Sequence, residues 1–194
     1  MPFIILSIVG IISPFAAVMS CTHSAAGIIS CELGLKGLNT TIAAACNSGL
    51  DAIFMAYNAI RFGDAQIMLA GAGEAPIAPY IVGLFSACGI LSKNNGDDPK
   101  GALRPFDIHG GGIVLGEGGA VLILEELQDA LKRKAKIYGE ILGYASGNEN
   151  YSIFKIDPRG DVAAMVIKRA LENAHLRPEE IDYINAHGNG ELEY

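Results

Sequence analysis

Two residues of this sequence stand where nucleophilic and acid–base chemistry is expected. Cys46 lies between a run of small residues and a predicted helix that begins at Asn47. Backbone N–H groups and the dipole at a helix N-terminus favour the thiolate form of such a cysteine, and the same amides can bind the oxyanion of a tetrahedral intermediate. The pattern predicts a nucleophile for acyl transfer. The alternative is a buried, inert cysteine in a tight turn.

His187 follows the last predicted strand of the chain, over residues 181–186. Open α/β sheets present ligand-binding groups at the carboxyl ends of their strands, so a catalytic role is one interpretation. A structural, hydrogen-bonded histidine is the other. Because His187 is far from Cys46 in sequence, only the fold could bring the two together, as is usual for Cys/His sites. The remaining histidines are interpreted as loop, surface or structural residues: His23, His109 and His175.

Glycine-rich segments do not predict a nucleotide site. The segment 71–73 follows a predicted strand but lacks the third glycine of a dinucleotide loop, and the sequence contains no Gly-Lys-Ser/Thr. The segments 110–112 and 116–119 are instead expected to let the backbone pass close to an active site or a helix. No Cys-x-x-Cys occurs and the histidines lack zinc-site spacing, so neither a metal nor a cofactor is predicted.

Composition excludes several classes of function. The 194 residues are 51% hydrophobic and 18% charged, and 14 Lys+Arg against 21 Asp+Glu give a net charge of -7. Such a chain has no basic surface for nucleic acid. The four cysteines do not resemble the framework of a small secreted protein, which favours free thiols and a cytoplasmic location.

The first nineteen residues are almost wholly apolar. No Lys or Arg precedes them and Pro14 interrupts them, which favours a buried strand and helix over a secretory signal or a membrane span. Because these first residues include no polar face for solvent, they are also expected if the chain begins in the middle of a larger hydrophobic core.

Hydrophobic periodicity predicts an α/β fold with a mixed sheet and buried helices. A first strand over 39–45, a helix from 47 to Gly63 and a second strand over 66–70 form one predicted strand-helix-strand unit with a right-handed crossover. A loop-rich stretch over 71–112 contains a short helix near 81–90. The remaining predictions are strands over 120–124, 136–144 and 181–186, and helices over 125–134 and 161–174. The sequence shows no internal boundary and is interpreted as a single layered domain over 1–194.

Four segments, in this order, resemble the β-ketoacyl synthases, the condensing enzymes of the thiolase fold. They are TIAAACNSG (41–49), AGAGE (70–74), RPFD (104–107) with GEG (116–118), and NAHG (185–188). The resemblance spans nearly the whole chain and implies a thiolase-like layered fold. It also implies an acyltransferase of fatty acid or polyketide synthesis, without a cofactor.

The resemblance assigns roles to individual residues. It implies that Cys46 accepts an acyl group from an acyl carrier protein or a coenzyme A thioester, and that a malonyl thioester then loses CO2 and attacks that group. His187 is similar to the first of the two histidines that assist the second stage. Phe85 is similar to an aromatic residue that gates the acyl pocket, or is plain core, and Asn189 stands at a substrate-arm position. The family also implies a homodimer, with residues 39–45 near the interface.

The sequence differs from the family pattern in its length and at several positions, which leaves alternative functions open. The family's first elements and its C-terminal half, with the second histidine and a lysine, are expected to be missing, so a complementing chain or low solubility is expected. Asn189 and Glu191 stand where the family has threonines, and Gly110 and Gly111 replace Arg-Asp. The alternative function is a non-catalytic thiolase-fold subunit that binds a partner or an acyl chain. A cysteine hydrolase on another α/β fold lacks the expected glycines beside Cys46.

Overall fold

A computed structural model describes residue 13 and residues 15–93, 98–153 and 155–191. These residues belong to two compact units. The first contains Met1–Gly71 and Val121–Leu131, and the second contains Ala72–Ala120 and Lys132–Tyr194. The expectation that residues 1–194 are a portion of one domain stays a prediction.

Helices dominate the first unit. They are α1 (Ala16–Met19), α2 (Ser24–Leu33), α3 (Ser48–Arg61) and, after the second strand, α5 (Leu127–Lys132). The predicted helix after Cys46 is confirmed as α3, which buries Ala56 and Ala59 and gives way to a turn at Gly63. These buried residues are small, while Leu50 on another face of α3 is 59% exposed.

The sheet contains two paired strands, β1 (Ile67–Glu74) and β2 (Gly118–Glu125). They run antiparallel, because Glu126 N–H donates to the Gln66 carbonyl at one end and Gly119 lies against Ala72 at the other. Both strands were predicted, and each extends beyond its predicted bounds. Ala70 is buried, but most of β2 is exposed, including Ile123 at 70%.

The second unit begins at Ala72, within β1, and its first helix is α4 (Pro79–Ala87), where Pro79 starts the helix as expected of a residue without an N–H. A parallel bridge then joins Leu91 to Ile113. The helix predicted over 161–174 is confirmed as α6 (Asp161–Ala174), and α6 packs against the bare backbone of Gly143 and the Cα of Gly147. A 3-10 turn, Pro178–Glu180, precedes the extended residues that lead to His187.

Three predicted strands are corrected by the structure. Residues 39–45, 136–144 and 181–186 belong to no ladder, and most of them are exposed. Their apolar and β-branched residues do predict extended backbone, but a strand also requires a hydrogen-bonding neighbour, and none of the described residues supplies one. The strand-helix-strand unit over 39–70 is consequently wrong, since β1 pairs with β2 instead.

The cysteines and the apolar N-terminus complete the fold. All four cysteines are free and exposed. A buried strand and a buried helix were expected within residues 1–19, of which residues 1–12 and 14 lie outside the described residues; the helix α1 is present, but none of its residues is buried. Among the described residues, no helix is long and apolar enough to cross a membrane.

Candidate functional site

Cys46 lies in the middle of a 3-10 turn, Ala45–Asn47, that leads directly into α3. Its side chain is exposed, so the burial expected for a structural cysteine is not found, while the reactivity of its thiol stays a prediction. Ala45, immediately before it, has a φ of 49°, a left-handed conformation that costs a residue with a Cβ about 1–3 kcal/mol. Strain of this kind persists only where neighbouring interactions hold it, and it is often found at functional sites. The cysteine is thus presented to solvent by a strained, well-defined turn.

The hydroxyl of Ser48 holds this turn. Ala44 N–H donates to Ser48 Oγ at 2.8 Å, and Ser48 Oγ in turn donates to the Ala45 carbonyl at 2.7 Å. One side chain therefore binds the backbone on both sides of the strained residue. A serine two residues after the cysteine was the available signal, but its two partners depend on the unusual φ of Ala45.

Amides after Cys46 are less available than the sequence suggests. Asn47 N–H donates to the Ala44 carbonyl at 3.1 Å, and Ser48 N–H donates to the Ala45 carbonyl. The 3-10 turn thus uses two of the N–H groups that were expected to bind an oxyanion. That expectation is corrected for Asn47 and Ser48, because the helix begins one residue later than predicted and is preceded by a tighter turn.

Asn39 anchors the extended residues that enter the Cys46 turn. Its Nδ2 donates to the Ala26 carbonyl at 3.1 Å and to Ser30 Oγ at 3.0 Å, both on α2. The extended stretch is therefore fixed by a side-chain amide where no strand ladder is available. Asn39 is the first residue of the predicted strand over 39–45. Its polar side chain was the available signal that this segment is fixed by side-chain hydrogen bonds and not by a ladder.

His187 ends the extended residues that follow the Pro178–Glu180 turn, and its side chain is exposed. The imidazole makes no hydrogen bond to any residue of the described ranges, so the alternative of a hydrogen-bonded structural histidine has no support there. Upstream, Glu180 accepts hydrogen bonds from the backbone N–H and the guanidinium of Arg177. These bonds hold the pKa of the Glu180 carboxyl below its usual value.

The loop after His187 contains Asn189, the candidate substrate-binding residue. Its Oδ1 accepts a hydrogen bond from Glu191 N–H at 3.0 Å, which closes a small turn. Asn189 and Glu191 are both half-buried. The amide oxygen is therefore engaged within the loop.

Phe85, the other candidate substrate-binding residue, lies half-buried on α4. The segment before this helix is held by Glu117, whose Oε1 accepts a hydrogen bond from Ile77 N–H at 3.0 Å. Glu117 belongs to the GEG motif, so that motif fixes the approach to the helix that carries Phe85. Its location is compatible with both interpretations of Phe85, a gate or plain core.

Cys46 belongs to the first unit, whereas His187, Phe85 and Asn189 belong to the second. Within the second unit, His187 and Asn189 share one loop. The other histidines are exposed, with His175 at the C-terminal end of α6 and His109 in a turn closed by Asp107. The described ranges contain no group of three or more His, Cys, Asp or Glu that could hold a metal ion.

Comparisons with known proteins agree with the order of the motifs. The profile of the β-ketoacyl synthase N-terminal domain matches residues 11–130, and that of the C-terminal domain matches residues 138–193. The chain is 45% identical over 162 residues to a putative mitochondrial 3-oxoacyl-[acyl-carrier-protein] synthase of Schizosaccharomyces pombe, covering 84% of this chain and 38% of that protein. It is 44% identical over 176 residues to 3-oxoacyl-[acyl-carrier-protein] synthase 2 of Synechocystis, covering 91% of this chain and 42% of that protein.

Solved structures give the same result for the fold. A ketosynthase of a type II polyketide system, in complex with its acyl carrier protein and bound to the hexaketide, superposes with a TM-score of 0.90 at 37% identity. The match covers 94% of this chain and 45% of that one. A β-ketoacyl synthase from Burkholderia phymatum gives a TM-score of 0.81 at 35% identity, over 88% of this chain and 42% of that one.

The chain matches only part of the length of each relative. The chain spans about two fifths of the length of the curated relatives named above. Its own elements form part of the thiolase-like α/β fold that those ketosynthases share, as the sequence motifs predict. With the N-terminal domain profile matched over more than half of its residues, the chain belongs to the β-ketoacyl synthase family.

Proposed function

We propose that Cys46 is the nucleophile of a β-ketoacyl synthase that accepts an acyl group from a thioester. Its sulfur attacks the thioester carbonyl carbon, the bond from that carbon to the donor sulfur breaks, and the donor thiolate leaves and takes up a proton. The observation that carries this proposal is the exposed Cys46 in a strained turn that Ser48 holds from both sides. A cysteine with a purely structural role needs neither exposure nor strain.

The second stage is a decarboxylative condensation in fatty acid or polyketide synthesis. A malonyl thioester loses CO2, and its α-carbon forms a bond to the acyl carbon on Cys46 as the sulfur leaves. His187 assists this stage; its exposed imidazole makes no hydrogen bond to the described residues that would occupy it. Asn189 contacts the substrate arm and Phe85 borders the acyl chain. Relatives named for both pathways support this reaction class.

The donor is an acyl carrier protein or a coenzyme A thioester. Support for the carrier protein comes from the matched ketosynthase, which is described in complex with its acyl carrier protein. A second copy of the chain, or a complementing chain, covers the extended residues 39–45, most of which are exposed and which have no ladder partner among the described residues. The unpaired N–H and C=O groups of an extended segment can pair with another chain. A cytoplasmic location remains proposed from the free thiols alone.

The test is intact mass spectrometry after incubation of the chain with hexanoyl coenzyme A, followed by peptide mapping. The expected result is one hexanoyl group on Cys46, absent from Cys46→Ala. Cys88→Ala is the matched control, because Cys88 is also an exposed free thiol and should leave the modification unchanged. No adduct on a chain that melts cooperatively would favour the non-catalytic subunit. Equal modification of all four cysteines would show that Cys46 has no special reactivity.

A further inference from the structure

The loop that follows His187 rests on backbone from a distant part of the second unit. Among the described residues, one hydrogen bond joins residues 182–190 to a remote segment, from Gly112 N–H to the Gly190 carbonyl at 3.2 Å. Gly110, Gly112 and Gly190 are all buried, and we call these three residues the glycine seat. The extended residues before His187 lack a strand partner, so the seat is the main fixed point of this loop.

The seat is tight because it has no side chains. A Cβ on Gly110 would lie 3.0 Å from the Asp107 carbonyl oxygen, 3.1 Å from that of Arg104 and 3.3 Å from that of Gly190. All three neighbours are backbone atoms, so none can move aside as a flexible side chain would. An added methyl group at position 110 would therefore crowd all three carbonyl oxygens, those of Asp107 and Arg104 most closely, and its contact with the Gly190 carbonyl would carry the strain into the loop after His187.

Gly190 is constrained from two further directions. Its φ of +93° disfavours any residue with a Cβ, and a Cβ there would lie 2.8 Å from the Gly112 carbonyl oxygen and 2.7 Å from Leu103 Cδ1. The ring of Phe106 packs against Gly188, within 3.0 Å of where a Cβ would stand. Backbone on both sides of Asn189 is thus held, within three residues of His187.

From this arrangement we infer that Gly110 and Gly190 are positioning residues for His187. They touch no reacting atom; they fix the loop backbone, which sets where the exposed imidazole stands. Displacement of a catalytic group by about 1 Å can slow a reaction by about a hundredfold. A seat that keeps the loop backbone from moving by that distance therefore affects the rate of the reaction that His187 assists. This inference rests on the proposed role of His187 in decarboxylation, and its test separates the two.

Adjacent glycines provide the matched pair for the test. Gly110→Ala inserts a methyl group into the seat, whereas Gly111→Ala inserts one where nothing lies within 4 Å. Two quantities are measured on the full chain: the 15N and 1H chemical shifts of the His187 ring, assigned with His187→Gln, and the steady-state decarboxylation of malonyl coenzyme A. Acylation of Cys46 by hexanoyl coenzyme A serves as an independent readout.

The expected result is specific to one variant. Gly110→Ala shifts the His187 ring signals and lowers kcat for decarboxylation about tenfold or more, while KM and Cys46 acylation stay within about twofold. Gly111→Ala matches the unmodified chain in its His187 ring signals, in kcat and KM for decarboxylation, and in Cys46 acylation. Should Gly110→Ala not melt cooperatively, Leu103→Ala replaces it, since that change removes a wall of the seat without inserting an atom.

Two outcomes overturn different statements. Unchanged His187 ring signals in a folded Gly110→Ala chain, and likewise in Leu103→Ala, would refute the positioning role. A chain that shows no decarboxylation at all would refute the proposed function of His187. In that case the ring signals alone still decide whether the seat fixes the histidine.

Discussion

The turn around Cys46 and the loop after His187 are held by opposite means. Ser48 and Asn39 fix the cysteine turn and its approach with two side-chain groups, which together make four hydrogen bonds to backbone or to a hydroxyl. The histidine loop is fixed by buried glycines whose value lies in having no side chain. Truncation of a polar side chain that binds backbone causes a moderate loss of stability. Where two backbone segments are in direct contact, in contrast, any added side-chain atom forces them apart.

This contrast separates two kinds of constraint on the sequence. Near Cys46, a conservative replacement that keeps one hydrogen bond can preserve the turn. Near His187, no replacement of a seat glycine is conservative, because backbone atoms stand where the first side-chain carbon would be. The second unit should therefore be the more sensitive to small additions, and the first unit to small deletions.

The largest expected effect is an addition in the second unit, at Gly143. A Cβ there would lie 2.5 Å from the Ala170 carbonyl oxygen and 2.7 Å from Ala174 N, both backbone atoms of α6. Gly143→Ala should lower the free energy of unfolding by about 3 kcal/mol, the upper range for overpacking. Urea denaturation followed by circular dichroism measures it.

Gly139→Ala provides the control for Gly143, since nothing lies within 4 Å of its added Cβ. That variant should unfold within about 0.5 kcal/mol of the unmodified chain. Equal urea midpoints for Gly143→Ala and Gly139→Ala would contradict the proposed sensitivity of the second unit to added atoms, because α6 would then tolerate an atom where the structure leaves no space.

Ser48→Ala tests the side-chain support of the Cys46 turn. The change removes the acceptor for Ala44 N–H and the donor to the Ala45 carbonyl. The free energy of unfolding should fall by about 1–2 kcal/mol, as for the loss of a helix cap. Acylation of Cys46 should also slow, since the strained Ala45 loses its support; initial rates of hexanoyl transfer measure this.

Ser86→Ala is the matched control for Ser48, because Ser86 also lies on a helix but its hydroxyl makes no hydrogen bond to the described residues. Its stability and its rate of Cys46 acylation should be unchanged. An acylation rate in Ser48→Ala equal to that of Ser86→Ala would mean that the turn does not depend on the hydroxyl.

Local signals predicted α3, α4, α5, α6 and the two paired strands, whereas α2 was not predicted. The apolar period and flanking glycines placed α3 and α6, and short apolar runs placed β1 and β2. Family motifs identified Cys46 and His187 as candidate site residues, whose roles remain proposed. Residues 39–45, 136–144 and 181–186 were wrongly predicted as strands, because pairing is decided by a distant neighbour and not by the segment's own composition.

Details of the candidate site were harder to predict. Glycines at 110–112 were expected to let the backbone pass closely, and the structure confirms close approaches at Gly110 and Gly112. Their specific partner, Gly190, is far along the chain, so no local pattern could name it. The two amides after Cys46 were wrongly predicted to be free, because a 3-10 turn and a helix start differ only in which carbonyl each N–H reaches.

Asn39→Asp is expected to have a smaller effect, again by deletion in the first unit. The carboxylate keeps the shape of the amide but cannot donate to the Ala26 carbonyl or to Ser30 Oγ. Because Asn39 is exposed, water replaces part of the loss, and the free energy of unfolding should fall by about 0.5–1.5 kcal/mol. Ser30→Ala removes one of the two acceptors and the bond from Ser30 Oγ to the Gly27 carbonyl within α2, but it keeps the bond from Asn39 to Ala26 and should cost less. If Ser30→Ala proved the more destabilising in urea denaturation, Asn39 would not be the anchor.

The smallest effect concerns an ion pair that precedes α6 in the second unit. Asp157 is 4% exposed and accepts hydrogen bonds from Arg159, with Arg159 Nη2 at 2.6 Å from Asp157 Oδ2 and the Arg159 backbone N–H at 3.1 Å from Oδ1. The Arg159 side chain, then the backbone N–H, holds the pKa of the Asp157 carboxyl below its usual value. A lowered pKa means that this carboxylate stabilises the fold above the unfolded-state pKa of about 3.9.

Asp157→Asn should therefore be less stable than the unmodified chain at neutral pH, and the difference should shrink as the pH falls below about 4 and through the lowered pKa of Asp157. Asp161→Asn is the control, because the exposed Asp161 is 3.7 Å from Arg159 Nε and forms a weaker pair. Thermal unfolding between neutral pH and about pH 3 measures both. A difference for Asp157→Asn that stayed constant with pH would show that the charge of Asp157 contributes nothing. Support near α6 would then come from packing and from hydrogen bonds that do not need the charge.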